Sequence, residues 1–112
     1  DITIEELRKQ GYKAFYLAIG CQGGRLAGVP GEDAEGVMTA VDLLRCACED
    51  EGYQVEGKVI VLGGGNVAVD VARTAVRCGA EEVNMYCLES RDIMPASEEE
   101  IAEAEEDGAV IH

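Results

Sequence analysis

Short apolar runs alternate along this chain with stretches whose apolar positions return every three or four residues. That rhythm predicts strands and helices in turn. The runs are KAFYLAIG at 13–20, KVIVL at 58–62, EEVNMYCLE at 81–89 and AVIH at 109–112, so strands are expected near 14–19, 58–62, 82–87 and 109–112. Between them, TIEELRKQG opens with Thr3 and Glu6 at capping-box spacing and closes on Gly11, the signature of a short helix. Met38, Val41, Leu44 and Cys48 recur at helical spacing and predict a second helix over about 38–49, ended near Gly52. NVAVDVARTAVRCG reads as a helix ended by Gly79, and SEEEIAEAEEDG as another, with Ser97 and Glu100 forming a second capping box. GGRLAGVPGEDAEG is a loop by its glycines and Pro30.

Strands that alternate with helices of this length need right-handed crossovers, and these build a parallel sheet. The expected fold is therefore α/β, a three-layer Rossmann-like sheet with helices on both faces. Its spatial order is expected to be 109–112, 82–87, 58–62, 14–19. A length of 112 residues suits a single domain. Apolar residues make up 47% and aromatics only 4%, which makes the core aliphatic and fits a sheet under helices.

Charge narrows the partners. Nine basic against 23 acidic residues leave a net charge of −14, which speaks against nucleic acid and anionic membrane. Seven of the acids lie in 97–108 and read as the solvated face of a helix. No apolar run approaches the roughly 18 residues of a membrane span, and no signal peptide is visible; a cytoplasmic location is expected. The chain begins with Asp rather than Met, as an excised piece of a longer protein would. The cysteines, Cys21, Cys46, Cys48, Cys78 and Cys87, are odd in number and form no CxxC, and the one histidine, His112, is terminal. They are expected to be small buried hydrophobes in a reducing compartment, with no metal site.

The chemistry concentrates at VLGGGNVA. Gly63, Gly65 and Ala68 match the G-x-G-x-x-G/A fingerprint between a predicted strand and a predicted helix. Gly63 permits the tight turn, Gly65 lets a pyrophosphate approach the backbone, and Ala68 lets helix and strand pack closely. Amides around Asn66 and Val67 then face the phosphates with the positive end of the helix dipole behind them. A turn that serves only the fold is the plain alternative. An S-adenosylmethionine-dependent methyltransferase is a second, but such enzymes usually carry an acid just before the glycines, where this chain has Val61 and Leu62.

Glu89 lies at the end of the next strand, 24 residues beyond Gly65. A carboxylate there accepts hydrogen bonds from the adenosine ribose 2′-hydroxyl and repels the 2′-phosphate of NADP. NAD(H) is thereby favoured. Arg91, two residues on, could reach a phosphate and keeps NADP(H) open.

GYKAFYLAIGCQ, GVPGEDAEGV, GKVIVLGGGNVAVDVARTAVRCGAEEV and SRDIMPASEEEIAEAEEDG together resemble the small (β) subunit of glutamate synthase and its FAD-dependent NAD(P)H oxidoreductase relatives. The resemblance covers almost the whole chain. It implies a nicotinamide-nucleotide domain inserted into an FAD domain. Hydride passes from NAD(P)H to FAD, and electrons continue through iron–sulfur clusters to a large partner subunit. Carried over, Gly63, Gly64, Gly65, Asn66 and Val67 hold the pyrophosphate, with Glu89, Ser90 and Arg91 at the ribose end. Many members have two arginines where this chain has Leu88 and Glu89, while Ser90, Arg91, Met94, Pro95 and Ala96 match.

On this reading residues 58–112 form the βαβ nucleotide unit and 1–57 connect it to the FAD-domain side. The chain is a truncated part of a two-dinucleotide flavoprotein, inactive alone, with FAD held elsewhere in the parent enzyme. The strand at 14–19 belongs with the FAD domain and could pair elsewhere. No catalytic acid, base or nucleophile is expected, because hydride transfer asks for orientation. Asp70 and Arg73 are expected to pair with each other or with a neighbouring domain. AVIH as an open edge, with exposed apolar helix faces, would invite a homodimer. A pure nucleotide-sensing module is the other reading.

Overall fold

The computed structural model describes residues 2–112. Elements run α1 (Ile4–Lys9), α2 (Ala40–Glu49), β1 (Lys58–Leu62), α3 (Asn66–Arg77), β2 (Glu82–Tyr86), α4 (Glu98–Asp107) and β3 (Val110–Ile111), with a 3₁₀ turn at Arg91–Ile93. The strands form one parallel sheet in the order β1-β2-β3, Val59 opposite Val83, Val61 opposite Met85, and Met85 in turn opposite Ile111.

Side chains alternate across a pleated strand, and burial follows that period. Val61, Val83 and Met85 point into the core, while Ile60 and Leu62 remain 66% and 69% exposed on the other face. Against the covered face lies α3, whose Val69, Ala72 and Ala75 are wholly buried. The two alanines keep α3 thin on that side, so α4 can bring Ile101 and Ala104 into the same core and α2 can add Leu43. Burying side chains the size of Met85 or Ile101 stabilises the fold by about 1.5–3 kcal/mol each.

Two expectations are corrected here. Residues 14–19 form no strand, and Tyr16, Leu17 and Ile19 are 93%, 72% and 80% exposed. An apolar run reports that a segment seeks burial, but it becomes a strand only where an edge receives it, and here only Phe15 is half-buried, under the Arg8 guanidinium at 5.3 Å. The helices also cover one sheet face and not two. Because β1, β2 and β3 follow each other in one direction, right-handed crossovers place α3 and α4 on the same side. The uncovered sheet face therefore leaves Ile60, Leu62 and Val110 exposed, and Ile4 on α1 and Val67 on α3 are exposed as well.

Electrostatics joins α3 to α4. Arg73 does not pair with Asp70; it donates to Glu103 and, at 2.8 Å, to Asp107, while Arg77 donates to Asp107 at 2.9 Å. A pair three residues apart on one helix gains only a few tenths of a kcal/mol. The facing helix instead offers two carboxylates to one guanidinium. The hydrogen bond from Arg73 holds the Asp107 carboxyl below its usual range. None of the five cysteines is fully buried, and Cys21 and Cys48 are exposed, contrary to the expectation of buried thiols.

Met85→Ala should cost about 2–5 kcal/mol in urea unfolding, the range for emptying a core methionine site. Because the Asp107 pKa is lower folded than unfolded, its contribution is present above the ordinary aspartate range and is lost as the pH falls below about 4. Asp107→Asn should therefore lower Tm at pH 7 and show a smaller further loss on acidification than the unchanged protein, measured by thermal unfolding at pH 7 and pH 3.

Candidate functional site

The turn between β1 and α3 is shaped by how little room it has. Gly63 adopts φ +138°, a region that disfavours side chains, and its amide donates to the Tyr86 carbonyl at 2.9 Å. A Cβ at Gly63 would lie 3.4 Å from the Ala68 methyl, so the small residue on α3 sets how close helix and strand come. Gly64 is turned inward: a Cβ there would meet Cys87 Cβ at 2.9 Å and Pro95 Cδ at 3.5 Å. Gly65 differs from both, since nothing lies within 4 Å of where its Cβ would stand.

Gly65 is also the N-cap of α3 and supplies no side-chain cap. Its carbonyl accepts from the Ala68 and Val69 amides at 2.9 and 3.2 Å. The amides of Gly65, Asn66 and Val67 have no acceptor among the described residues. Open amides at a helix N-terminus, with the dipole behind them, suit an anion.

The sequence reading missed what supports this turn. The segment 94–97 runs alongside it, with Met94 and Ala96 buried. Ala96 N–H donates to the Gly64 carbonyl at 3.0 Å and Ser97 N–H donates to Asn66 Oδ1 at 3.2 Å. The capping box expected at Ser97 is therefore half made: Ser97 Oγ accepts from the Glu100 amide at 3.3 Å, but Asn66 has taken the other arm. The two residues are 31 apart, and no local spacing signals the bond.

At the carboxyl end of β2 the predicted ribose residues part company. Glu89 is half-buried; its carbonyl accepts from the Cys87 thiol at 3.1 Å, and its carboxylate has no hydrogen bond or ion pair among the described residues. Ser90 Oγ donates to Asp92 Oδ1 at 2.8 Å and thereby lowers the Asp92 pKa. Arg91 is drawn to Glu105 of α4 at 3.0 Å. Leu88 is fully exposed. The bond from Gly63 to Tyr86 places the glycine turn beside the end of β2, the strand end of a parallel α/β sheet where ligands bind. The site thus combines amides for an anion with an unpaired carboxylate for hydroxyl donors. No group of three metal-ligating side chains occurs among the described residues, and no helix is long and apolar enough to cross a membrane.

Residues 2–109 match the family model described as pyridine nucleotide-disulphide oxidoreductase. Among curated proteins, the chain is 41% identical to the NADP(+)-dependent formate dehydrogenase subunit beta of Moorella thermoacetica, over 100% of this chain and 16% of that protein. It is 41% identical to the NADPH-Fe(3+) oxidoreductase subunit beta of Geobacter sulfurreducens, over 96% of this chain and 16% of that one. With the glutamate synthase [NADPH] small chain of Halomonas elongata it shares 38%, over 96% and 25%. The chain thus spans a quarter or less of the length of these relatives. The glycine turn at the carboxyl end of a parallel sheet and the family match agree: the chain belongs to the pyridine nucleotide-disulphide oxidoreductase family, beside the glutamate synthase small chains and related NADPH oxidoreductase subunits.

Proposed function

We propose that this chain is the nicotinamide-nucleotide-binding part of a glutamate-synthase-small-subunit-like oxidoreductase. The observation that carries the reading is the opening turn of α3, where the Gly65, Asn66 and Val67 amides are unclaimed and Gly65 fronts open space. A pyrophosphate fits such a turn because charge-assisted hydrogen bonds to backbone amides need close approach and no intervening side chain. Gly63 and Gly64 shape the turn from within. Glu89 accepts from the ribose hydroxyls, with Ser90 and Arg91 following it along the same loop.

The nucleotide, once bound, supplies a hydride for a flavin, FAD, held by other parts of the parent enzyme. The residues of this chain bind and orient; none is assigned proton transfer or covalent chemistry. We assign 58–112 to the nucleotide unit and 1–57 to the connection with the FAD domain, whose partner surfaces would receive the exposed Tyr16, Leu17 and Ile19. An iron–sulfur-carrying large subunit is the proposed electron acceptor, the cytoplasm the proposed compartment, and the part alone is proposed to be inactive and able to form a homodimer.

Nucleotide choice follows from charge. Glu89 is unpaired whereas Arg91 is engaged by Glu105, which favours NADH over NADPH. The relatives compared above carry NADPH or NADP(+) in their names, so the preference is a point on which this protein should differ from them.

Calorimetric titration should show tighter binding of NADH than of NADPH, with the order reversed by Glu89→Arg. Tighter NADPH binding by the unchanged protein would sink the assignment of Glu89. Gly65→Ala fits the fold without a clash but fills the space a pyrophosphate needs. It should leave the urea midpoint unchanged while weakening NADH about tenfold or more; a loss of stability with affinity retained would count against the site.

A further inference from the structure

Two Ser/Thr-x-x-Glu boxes in this chain end differently. At α1 both arms form: Thr3 Oγ1 accepts from the Glu6 amide at 3.2 Å and the Glu6 carboxylate accepts from the Thr3 amide at 2.8 Å. At α4 the Ser97 amide leaves its own helix and donates to Asn66 Oδ1. Glu100, deprived of that bond, keeps Oε2 buried without a partner among the described residues. A local box has therefore given way to a bond across 31 residues. Burying an unmet carboxylate oxygen is unfavourable, so the bond that displaced it must be judged by what else it holds.

What it holds is the glycine turn. Gly64 and Asn66 flank Gly65, and each is tied to the 94–97 segment: Gly64 through its carbonyl to the Ala96 amide, Asn66 through its side-chain oxygen to the Ser97 amide. Pro95, just before the two ties, places its Cδ 3.5 Å from where a Gly64 Cβ would stand. The residue with open space in front of it is thus pinned on both sides, and its orientation is set by α4's leading segment as much as by α3.

We infer that Asn66 is a positioning residue that fixes the opening turn of α3 through the Ser97 amide, with Glu100 as the alternative acceptor that takes this amide when Asn66 is removed. The inference rests on the nucleotide reading above and adds to it the device that preorganises the phosphate-facing amides. The role asks only for an acceptor at position 66. Alanine does not satisfy it. In the Ala variant Ser97 completes its own box, α4 stays capped, and the turn loses one of its two ties.

The test pairs nucleotide affinity with amide hydrogen exchange in the intact protein that carries this chain. Asn66→Ala should bind NADH about tenfold more weakly than the unchanged protein. The Ser97 amide should stay protected in Asn66→Ala and in Glu100→Ala, and lose protection only when both are replaced. Equal NADH affinity in Asn66→Ala would overturn the positioning role while leaving the nucleotide site standing. Loss of Ser97 protection in Asn66→Ala alone would overturn Glu100 as the alternative acceptor. If the unchanged protein bound neither NADH nor NADPH, the nucleotide reading would fail and the positioning role with it, whatever the exchange pattern.

Discussion

Everything at the candidate site depends on one close approach. Between β1 and α3 the chain passes Cys87 and Pro95 with no room for a Cβ at Gly64, and Ala68 faces Gly63 at van der Waals contact. Because the helix comes this near to the strands, its first amides sit at the carboxyl end of the sheet instead of above its middle. The buried layer then maintains the approach: Val69, Ala72 and Ala75 lie against Val61, Val83 and Met85, and widening any of these positions would lift α3 away from the strands. Core and site are for this reason one construction problem. A larger side chain on α3's inner face would be felt first as overpacking and then as a displaced glycine turn.

Much of this was legible because the signals are local. Thr3 and Ser97 mark helix starts through their own hydroxyls, and Gly108 ends α4 in the left-handed region at φ +107°. The strands at 58–62 and 82–86 and the parallel order of three strands followed from apolar runs and crossover handedness. Residues 14–19 misled because hydrophobicity specifies a need for burial and leaves the partner unspecified. The layer count misled for a related reason: the second face of a doubly wound sheet is covered only after the strand order reverses, and no reversal occurs within β1-β2-β3.

The site was legible in part. Gly63, Gly65 and Ala68 could be named because the fingerprint sets them at fixed offsets, Gly63 for its positive φ, Ala68 for the close approach of helix and strand, and Gly65 for the open space before it. Gly64 carries no fingerprint role, yet it is the most tightly enclosed of the three glycines. Asn66 was read for its amide, while the structure adds its side-chain oxygen, whose donor lies beyond β2 and the 3₁₀ turn. Such a bond has no period. Arg73 shows the same limit in reverse, since the nearby Asp70 was the visible partner and the distant Glu103 and Asp107 were the better ones.

The distribution of charge explains why Glu89 is left unpaired. With 23 acids and nine bases, cations are the scarce species, and α4 takes three of them: Arg73, Arg77 and Arg91. Two of these arginines, Arg73 and Arg77, clamp α4 to α3 through three bonds. The third arginine, Arg91, is held by Glu105, which draws away the cation nearest in sequence to Glu89. An exposed pair of that kind contributes little to stability, so its consequence is electrostatic rather than structural. On the proposed function, a ribose hydroxyl would meet a free acceptor at Glu89, whereas a 2′-phosphate would have both to overcome that carboxylate and to win Arg91 from Glu105. The proposed selectivity is then a competition among carboxylates and phosphate for one guanidinium, and α4's acidity, which alone would read as mere solvation, would tilt it.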